Sequence, residues 1–310
     1  MKKFGTSKLA GALLVSIAAI LWGLDGVVLT PRLYNLDVIL VVFLLHIIPF
    51  LLFNIFMANE YKKIMTFSKS DFLGFFLLAL FGGVLGTMAI VKALFLVNFQ
   101  QLTVVILLQK LQPVFAVILA TIILKEKLYP NYILWGSIAL LGAYFLTFGI
   151  SLPNFNTGRN TIFAALYALL AAFSFGSATV LSKKMLNNFN FRTVTFYRYG
   201  FTAIIMLIIV LATGKLRMLE NVTKNNWLII GIIVLTTGSG AIFIYYYGLK
   251  NIKAIVATFC ELFFPISAAI FDYFINKTKL STIQWISAGI ILFSIIMLRK
   301  NDNYKKRFRR

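Results

Sequence analysis

Residues 9–30, LAGALLVSIAAILWGLDGVVLT, form an apolar run that contains one charged side chain, Asp25. A helix needs about 20 mostly apolar residues to cross the hydrocarbon core of a bilayer, so this run predicts a membrane-spanning helix. Nine more runs of this kind follow, at roughly 37–57, 72–97, 100–124, 131–150, 160–182, 192–213, 227–249, 252–275 and 281–299. Because the connections between them are short, the sequence predicts an all-α integral membrane protein of ten transmembrane helices.

The composition agrees with this class. Of 310 residues, 60% are hydrophobic and 13% are charged, with a mean hydropathy of +0.90. A soluble protein of this length needs more polar surface. The net charge of +21 would suggest nucleic acid in a soluble protein, but here the basic residues lie between apolar runs, so no nucleic-acid partner is expected.

The basic residues also predict the orientation. If the N-terminus is inside, 20 of the 30 Lys and Arg residues fall in inner segments and seven in outer segments. Basic residues favour the cytoplasmic side, so both termini are expected in the cytoplasm of a multi-pass protein of the bacterial inner membrane.

The two halves of the chain repeat one another. The segment 18–23, AAILWG, matches 171–176, AAFSFG, and Pro113 matches Pro265. We therefore expect one five-helix repeat in residues 1–152 and a second in residues 153–310, the second ending in a basic cytoplasmic tail. Five spans is an odd number, so the second repeat enters the membrane from the opposite side. Inverted repeats of this kind surround a central cavity in many secondary transporters.

Short motifs in both halves carry a family resemblance. They are Trp22-Gly23, Ala93-Leu94, Pro113 and the segment 124–128 (LKEKL) in the first half, and Gly248-Leu249 and Pro265 in the second. In these positions the chain resembles the EamA-type transporters of the drug/metabolite transporter superfamily. The resemblance implies a five-plus-five helix bundle with a cavity lined by spans 1, 3, 4, 6, 8 and 9, and most members export metabolites or drugs. The chain departs from the family at Thr278, where an acidic residue is usual.

Polar side chains at membrane depth are the candidate functional groups, because a charge near a helix centre costs about 2.5–3.5 kcal/mol on the insertion scale. The candidates for substrate binding or ion coupling are Asp25, His46, Lys92, Gln109, Lys110, Arg198 and Glu261. Gln109 and Glu261 are equivalent in the two halves, each four residues before a proline. We expect these prolines, Pro113 and Pro265, to kink their helices.

Structural roles compete with functional ones at several of these positions. Lys92 is near enough to the outer end of its span for its ammonium to reach the membrane surface. His46 can be a hydrogen-bonded core residue, and Arg198 can tie the bundle to carbonyl groups or to an acid. Lys110 and Glu261 lie far from any helix end, so they can either act on the substrate or form a buried ion pair.

Aromatic side chains can form the apolar part of a cavity, although packing and interfacial anchoring are the competing roles. The candidates are Trp22, Phe175 and Tyr245. The chain has one His and one Cys, and no glycine-rich phosphate loop. We therefore expect no enzyme activity, no catalytic residues, no metal site and no cofactor.

The resulting expectation is a secondary transporter that works by alternating access. Its partners would be a small-molecule substrate, membrane lipid and, as a candidate coupling ion, the proton; a monomer and a homodimer are both compatible with the sequence. The deep basic residues outnumber the deep acids, which favours an amino acid or another organic anion or zwitterion, moved as an export substrate. The alternatives are an exchanger of phosphorylated or nucleotide-linked metabolites, and a non-transporting membrane assembly or lipid-processing protein.

Overall fold

The computed structural model describes residues 7–97, 105, 108–150, 159–277 and 279–307. In these ranges the regular secondary structure is helical. The main helices, numbered in chain order, are α1 (Lys8–Leu33), α2 (Val38–Met57), α3 (Lys69–Leu96), α4 (Gln112–Ile123), α5 (Pro130–Phe148), α6 (Arg159–Asn188), α7 (Phe191–Ala212), α8 (Lys224–Leu249), α9 (Ala254–Ile275) and α10 (Thr282–Arg307).

Eight helices of the described chain are long and apolar enough to cross a membrane. The other two apolar helices, α4 and the part of α10 over Thr282–Leu298, are shorter, so the count of ten transmembrane helices stays a prediction. Most of the first third of the fourth predicted span lies outside the described residues. Large apolar side chains are exposed along the bundle, for example at Leu51, Ile122, Leu141 and Ile208, as expected of a surface that faces lipid.

The sixth predicted span ends too early. Helix α6 continues to Asn188 instead of ending near residue 182. The reason lies in Lys183, whose ammonium donates to the carbonyls of Leu249 (3.1 Å) and Lys250 (2.9 Å). These two carbonyls lie at and just after the end of α8, where carbonyls have no donor in their own helix; the Leu249 carbonyl also accepts from the N–H of Ile252 (3.3 Å). The basic end of α6 is thus held against the end of α8.

The helices pack in pairs that correspond between the two halves. Helix α1 packs against α8 and α9, and its counterpart α6 packs against α3 and α4. Helix α2 packs against α7, and α5 packs against α10. Each contact therefore has a counterpart five helices further along the chain.

Irregular turns interrupt the central helices. Wide π-helical turns occupy Asp25–Leu29 in α1, Leu80–Leu85 in α3 and Val234–Gly238 in α8. Helix α9 breaks at Glu261, before Pro265, and the chain makes a similar turn before Pro113. Such turns free backbone groups within a membrane and are frequent at functional sites.

Candidate functional site

Glu261 lies at the break in α9. Pro265 has no N–H to donate to the Glu261 carbonyl, and the N–H of Phe264 donates to that carbonyl instead (2.9 Å). This tight turn separates the helical segments Ala254–Cys260 and Phe263–Ile275. The Glu261 side chain that it carries is 8% exposed.

Three neutral donors from three other helices bind the Glu261 carboxylate. Gln112 of α4 donates from Nε2 to Oε2 (2.6 Å). The hydroxyls of Tyr245 in α8 (2.6 Å) and Thr179 in α6 (3.2 Å) donate to Oε1. We call these four residues the Glu261 cluster. Because a buried carboxylate needs hydrogen bonds in place of water, the cluster holds four helices together at one point.

Lys110 contacts α5, which is not one of the helices of the Glu261 cluster. Its ammonium donates to the carbonyl of Ala143 (3.0 Å) and to the hydroxyl of Thr147, both in α5. Lys110 and Gln112 are two positions apart, and residues with this spacing point to different sides of a helix. The ion pair considered for Lys110 and Glu261 is therefore not the arrangement found, since each of the two groups is bound by other residues.

Trp22 places an aromatic ring beside the Glu261 cluster. Its indole lies against the Tyr245 ring with centroids 5.2 Å apart, and it is half-buried. Gly23, the next residue, explains why Trp22 lies so close to Tyr245. A Cβ on Gly23 would lie 2.1 Å from Ser267 Oγ and 2.9 Å from the backbone nitrogen of Ala268. The missing side chain thus lets α1 approach α9 closely, which brings Trp22 to the cluster.

The equivalent pair in the second half is Phe175 and Gly176. A Cβ on Gly176 would lie 2.9 Å from the carbonyl oxygen of Gln112, so α6 approaches α4 as closely as α1 approaches α9. The half-buried Phe175 ring covers Gly86 of α3, where an added Cβ would meet it at 2.7 Å. Phe175 therefore packs beside α3, while Trp22 packs on a member of the cluster.

Arg198 ties α7 to α3 and α8. One guanidinium nitrogen, Nη2, donates to the carbonyl of Gly82 in the π-helical turn of α3 (2.7 Å), and Nη1 donates to the hydroxyl of Tyr246 (2.8 Å). Among the described residues, Nε has no hydrogen-bond partner. Of the two structural roles considered for Arg198, the tie to carbonyl groups is the one that the structure shows. Tyr246 follows Tyr245, so the tie is adjacent to the Glu261 cluster.

Asp25 and His46 lie outside the cluster. Asp25 begins the π-helical turn of α1 and accepts a hydrogen bond from the Thr30 hydroxyl (3.2 Å). His46 is buried, its Nδ1 lies 2.7 Å from the Val42 carbonyl, and its ring lies 5.5 Å from that of Tyr199. His46 therefore has the contacts of a hydrogen-bonded core residue.

Two other candidates are also separate from the cluster. Lys92 is exposed, and Gln109 is half-buried. The structure brings Gln112 to Glu261 in place of Gln109, because the turn before Pro113 changes the face on which the following residues lie. Gln112 and Thr179 were missed by the sequence analysis. The sequence features that could have identified them are the position of Gln112 directly before Pro113 and that of Thr179 one helical turn after Gly176.

The site can bind a polar group but shows no ligands for a metal. Within the described ranges, no three His, Cys, Asp and Glu side chains are grouped closely enough to hold a metal ion. The cluster offers one carboxylate, one amide and two hydroxyls beside an indole ring. This chemistry suits hydrogen bonding to a flat polar molecule, and the carboxylate can also accept a proton.

Comparisons with known proteins agree with the resemblance seen in the sequence. The model of the EamA-like transporter family matches residues 9–148 and again residues 162–300. The riboflavin transporter ImpX of Fusobacterium nucleatum is 55% identical over 291 residues, which cover 94% of this chain and 97% of that protein. An uncharacterized transporter of Synechocystis is 30% identical over 213 residues, 66% of this chain and 59% of that protein.

The fold is also found among solved structures, and one crystal structure illustrates it. It superposes with a TM-score of 0.69 at 14% identity, covering 94% of this chain and 97% of the other. The family match in both halves and the relative of nearly equal length agree with the apolar helices. The chain is a multi-pass membrane protein, and it belongs to the EamA-like transporter family.

Proposed function

We propose that the chain is a secondary transporter of riboflavin or a closely related flavin, with the Glu261 cluster and Trp22 in the substrate site. The observation that carries this proposal is the 55% identity with a riboflavin transporter over almost the full length of both chains. Because relatives in the same family are also described as transporters, a membrane assembly factor or lipid-processing protein is not favoured.

The chemistry of the site supports an uncharged aromatic substrate. Riboflavin is a flat three-ring molecule without a formal charge, and it carries a hydrogen-bonding pyrimidine edge and a polyhydroxyl chain. Trp22 supplies a ring surface, and the cluster supplies neutral donors around one carboxylate. An anionic substrate was expected because the deep cations outnumber the deep acids. The Lys110 ammonium and the two terminal guanidinium nitrogens of Arg198 donate to carbonyl and hydroxyl oxygens, so these groups have hydrogen-bond acceptors without a substrate anion.

The architecture that we propose for transport is two inverted five-helix halves, residues 1–152 and 153–310, forming ten spans around a central cavity. The corresponding helix contacts and the two family matches support the division into halves. Orientation in the inner membrane with both termini in the cytoplasm is proposed from the excess of Lys and Arg in the inner segments. Alternation between two gates would then expose one shared site to each side.

Glu261 is the candidate proton site in this mechanism. A carboxylate held by neutral donors can exchange a proton without breaking an ion pair. We expect Glu261→Gln to lose transport driven by a pH gradient and to keep part of the substrate exchange. Glu220→Gln is the matched control, because Glu220 is exposed in the short 3-10 helix Lys215–Asn221 between α7 and α8. Unchanged gradient-driven transport in Glu261→Gln would remove the coupling role. The direction of transport of a secondary carrier depends on the gradients across the membrane. The same site can therefore serve export, which the family resemblance favours, and uptake.

The substrate is tested by a ligand-stability screen on the detergent-purified protein. A ligand that binds only the folded state raises the apparent Tm, by an amount equivalent to about 2.7 kcal/mol at 100 times its Kd. The compounds are riboflavin, amino acids, organic acids, nucleotide-linked sugars and lipophilic cations. We expect riboflavin to stabilise the protein. Stabilisation by an amino acid or organic acid and not by riboflavin would favour the hypothesis of an anionic substrate and would contradict flavin transport.

A further inference from the structure

Gln112 and Glu261 present a donor and an acceptor side by side. Nε2 of Gln112 lies 2.6 Å from Oε2 of Glu261, and this contact uses one of the two amide hydrogens. The second amide hydrogen can still donate, and a carboxylate oxygen can accept more than one hydrogen bond. The two helices α4 and α9 thus contribute one half each to a two-point recognition element.

The other members of the cluster fix the acceptor in place. Tyr245 and Thr179 both donate to Oε1, which leaves Oε2 as the oxygen on the side of Gln112. Tyr245 also lies against Trp22, at 5.2 Å between ring centroids, so the two-point element and the indole surface are adjacent. Gln112 and Trp22 are both half-buried, whereas Tyr245 and Thr179 are buried. The amide and the indole are therefore the more accessible members of the cluster, and Oε2 of the buried Glu261 lies directly beside the amide.

This arrangement complements a cyclic imide, in which an N–H group lies next to a carbonyl group in a flat ring. The imide N–H would donate to Oε2 of Glu261, and the neighbouring carbonyl would accept from Nε2 of Gln112. Paired bonds of this kind give geometric specificity that a single bond lacks. In a flavin, the imide is the N3–H group of the pyrimidine ring, flanked by the C2 and C4 carbonyls.

We infer that Gln112 and Glu261 bind the imide edge of the substrate, Gln112 through a carbonyl and Glu261 through the N–H group for which it determines specificity. This inference rests on the proposed flavin transport and deepens it by assigning one edge of the flavin to one pair of side chains. A site built to bind an N–H group strongly rejects an analogue that lacks it, because the acceptor is then buried without a partner.

The test compares riboflavin with 3-methylriboflavin, in which a methyl group replaces the imide hydrogen. Both compounds compete against labelled riboflavin in proteoliposomes that contain the wild type, Gln112→Met or Glu261→Gln. The matched control is Gln284→Met, since Gln284 donates to the Leu146 carbonyl between α10 and α5, away from the cluster. The apparent Tm of each variant reports its folding separately.

We expect the wild type and Gln284→Met to prefer riboflavin by about 100-fold or more, and Glu261→Gln, which changes the acceptor of the N–H, to reduce this preference to about tenfold or less. Gln112→Met should weaken the competition by both compounds, because both keep the carbonyl that Gln112 binds. Equal competition by the two compounds in the wild type would overturn the inference while leaving flavin transport intact. A preference that stays near 100-fold in Glu261→Gln would assign the rejection of 3-methylriboflavin to steric exclusion and would also overturn the inference, as would unchanged competition by both compounds in Gln112→Met. Absence of riboflavin transport in the wild type would reject the proposed function, and the inference would fail with it.

Discussion

Glu126 links the end of α4 to the start of α9, and this link predicts a measurable local opening. Glu126 lies in the segment between α4 and α5, and its carboxylate accepts from the backbone N–H groups of Ala254 (2.8 Å) and Ile255 (3.0 Å). These are the first N–H groups of α9, which have no acceptor in their own helix. A side chain from another part of the chain thus caps the helix that carries Glu261.

The change Glu126→Gln keeps one acceptor and removes the charge. It loses one hydrogen bond to a charged group, worth about 1.5–3 kcal/mol, and the interaction of a carboxylate with the helix dipole, about 0.3–1 kcal/mol. With part of this recovered by solvent, we expect a loss of about 2 kcal/mol. This corresponds to an increase of about 30-fold in the local opening equilibrium.

Cys260 reports this opening, because it is the single cysteine of the chain, is buried, and ends the first helical segment of α9. We expect a membrane-permeant maleimide to modify it about 30-fold faster in Glu126→Gln than in the wild type. Glu220→Gln, the same chemical change on an exposed residue, should leave the rate unchanged. A rate in Glu126→Gln that stays within about twofold of the wild type would refute the linking role, since changes without a structural role have effects of that size.

Three further predictions follow from the packing, the buried cation and the orientation. Gly23→Ala should lower the apparent Tm, by overpacking worth about 1–3 kcal/mol, because the added Cβ meets backbone of α9; Gly231→Ala, with no atom within 4 Å of the added Cβ, should not. Arg198→Met should also lower the apparent Tm, since it leaves a buried carbonyl of α3 without its donor, at about 1–3 kcal/mol. In a cysteine-free background, an impermeant thiol reagent added outside should label a cysteine at position 220 and not one at Lys63; the reverse pattern would contradict the orientation.

Hydropathy predicted most of the fold because the bilayer imposes a minimum length on each apolar helix. The polar segments between runs then located the turns, for example between α2 and α3. The end of α6 was wrong because hydropathy does not register the hydrogen bonds from Lys183 to the last carbonyls of α8. That contact joins residues distant in sequence, and it extends a helix past its apolar part.

The candidate site could be predicted only in part. Depth in the membrane and aromatic character selected Glu261 and Tyr245 separately as candidates, and neither signal could predict that the two side chains are in contact. The rotation of α4 determines which side chain reaches α9, and the turn before Pro113 sets that rotation. Gln112 therefore contacts Glu261, while Lys110 binds α5. The repeat, aligned by its prolines, drew attention to Gln109 as the equivalent of Glu261, whereas the residue of α4 that contacts Glu261 is Gln112.

The most direct test of flavin transport is counterflow of labelled riboflavin in proteoliposomes preloaded with unlabelled riboflavin. A carrier that alternates between two gates exchanges external label for internal substrate, so labelled riboflavin should accumulate transiently above its external concentration. Protein-free liposomes give the background. We expect this overshoot in the wild type and a reduced overshoot in Gln112→Met. Absence of an overshoot with riboflavin, together with counterflow of an amino acid or an organic anion, would contradict it.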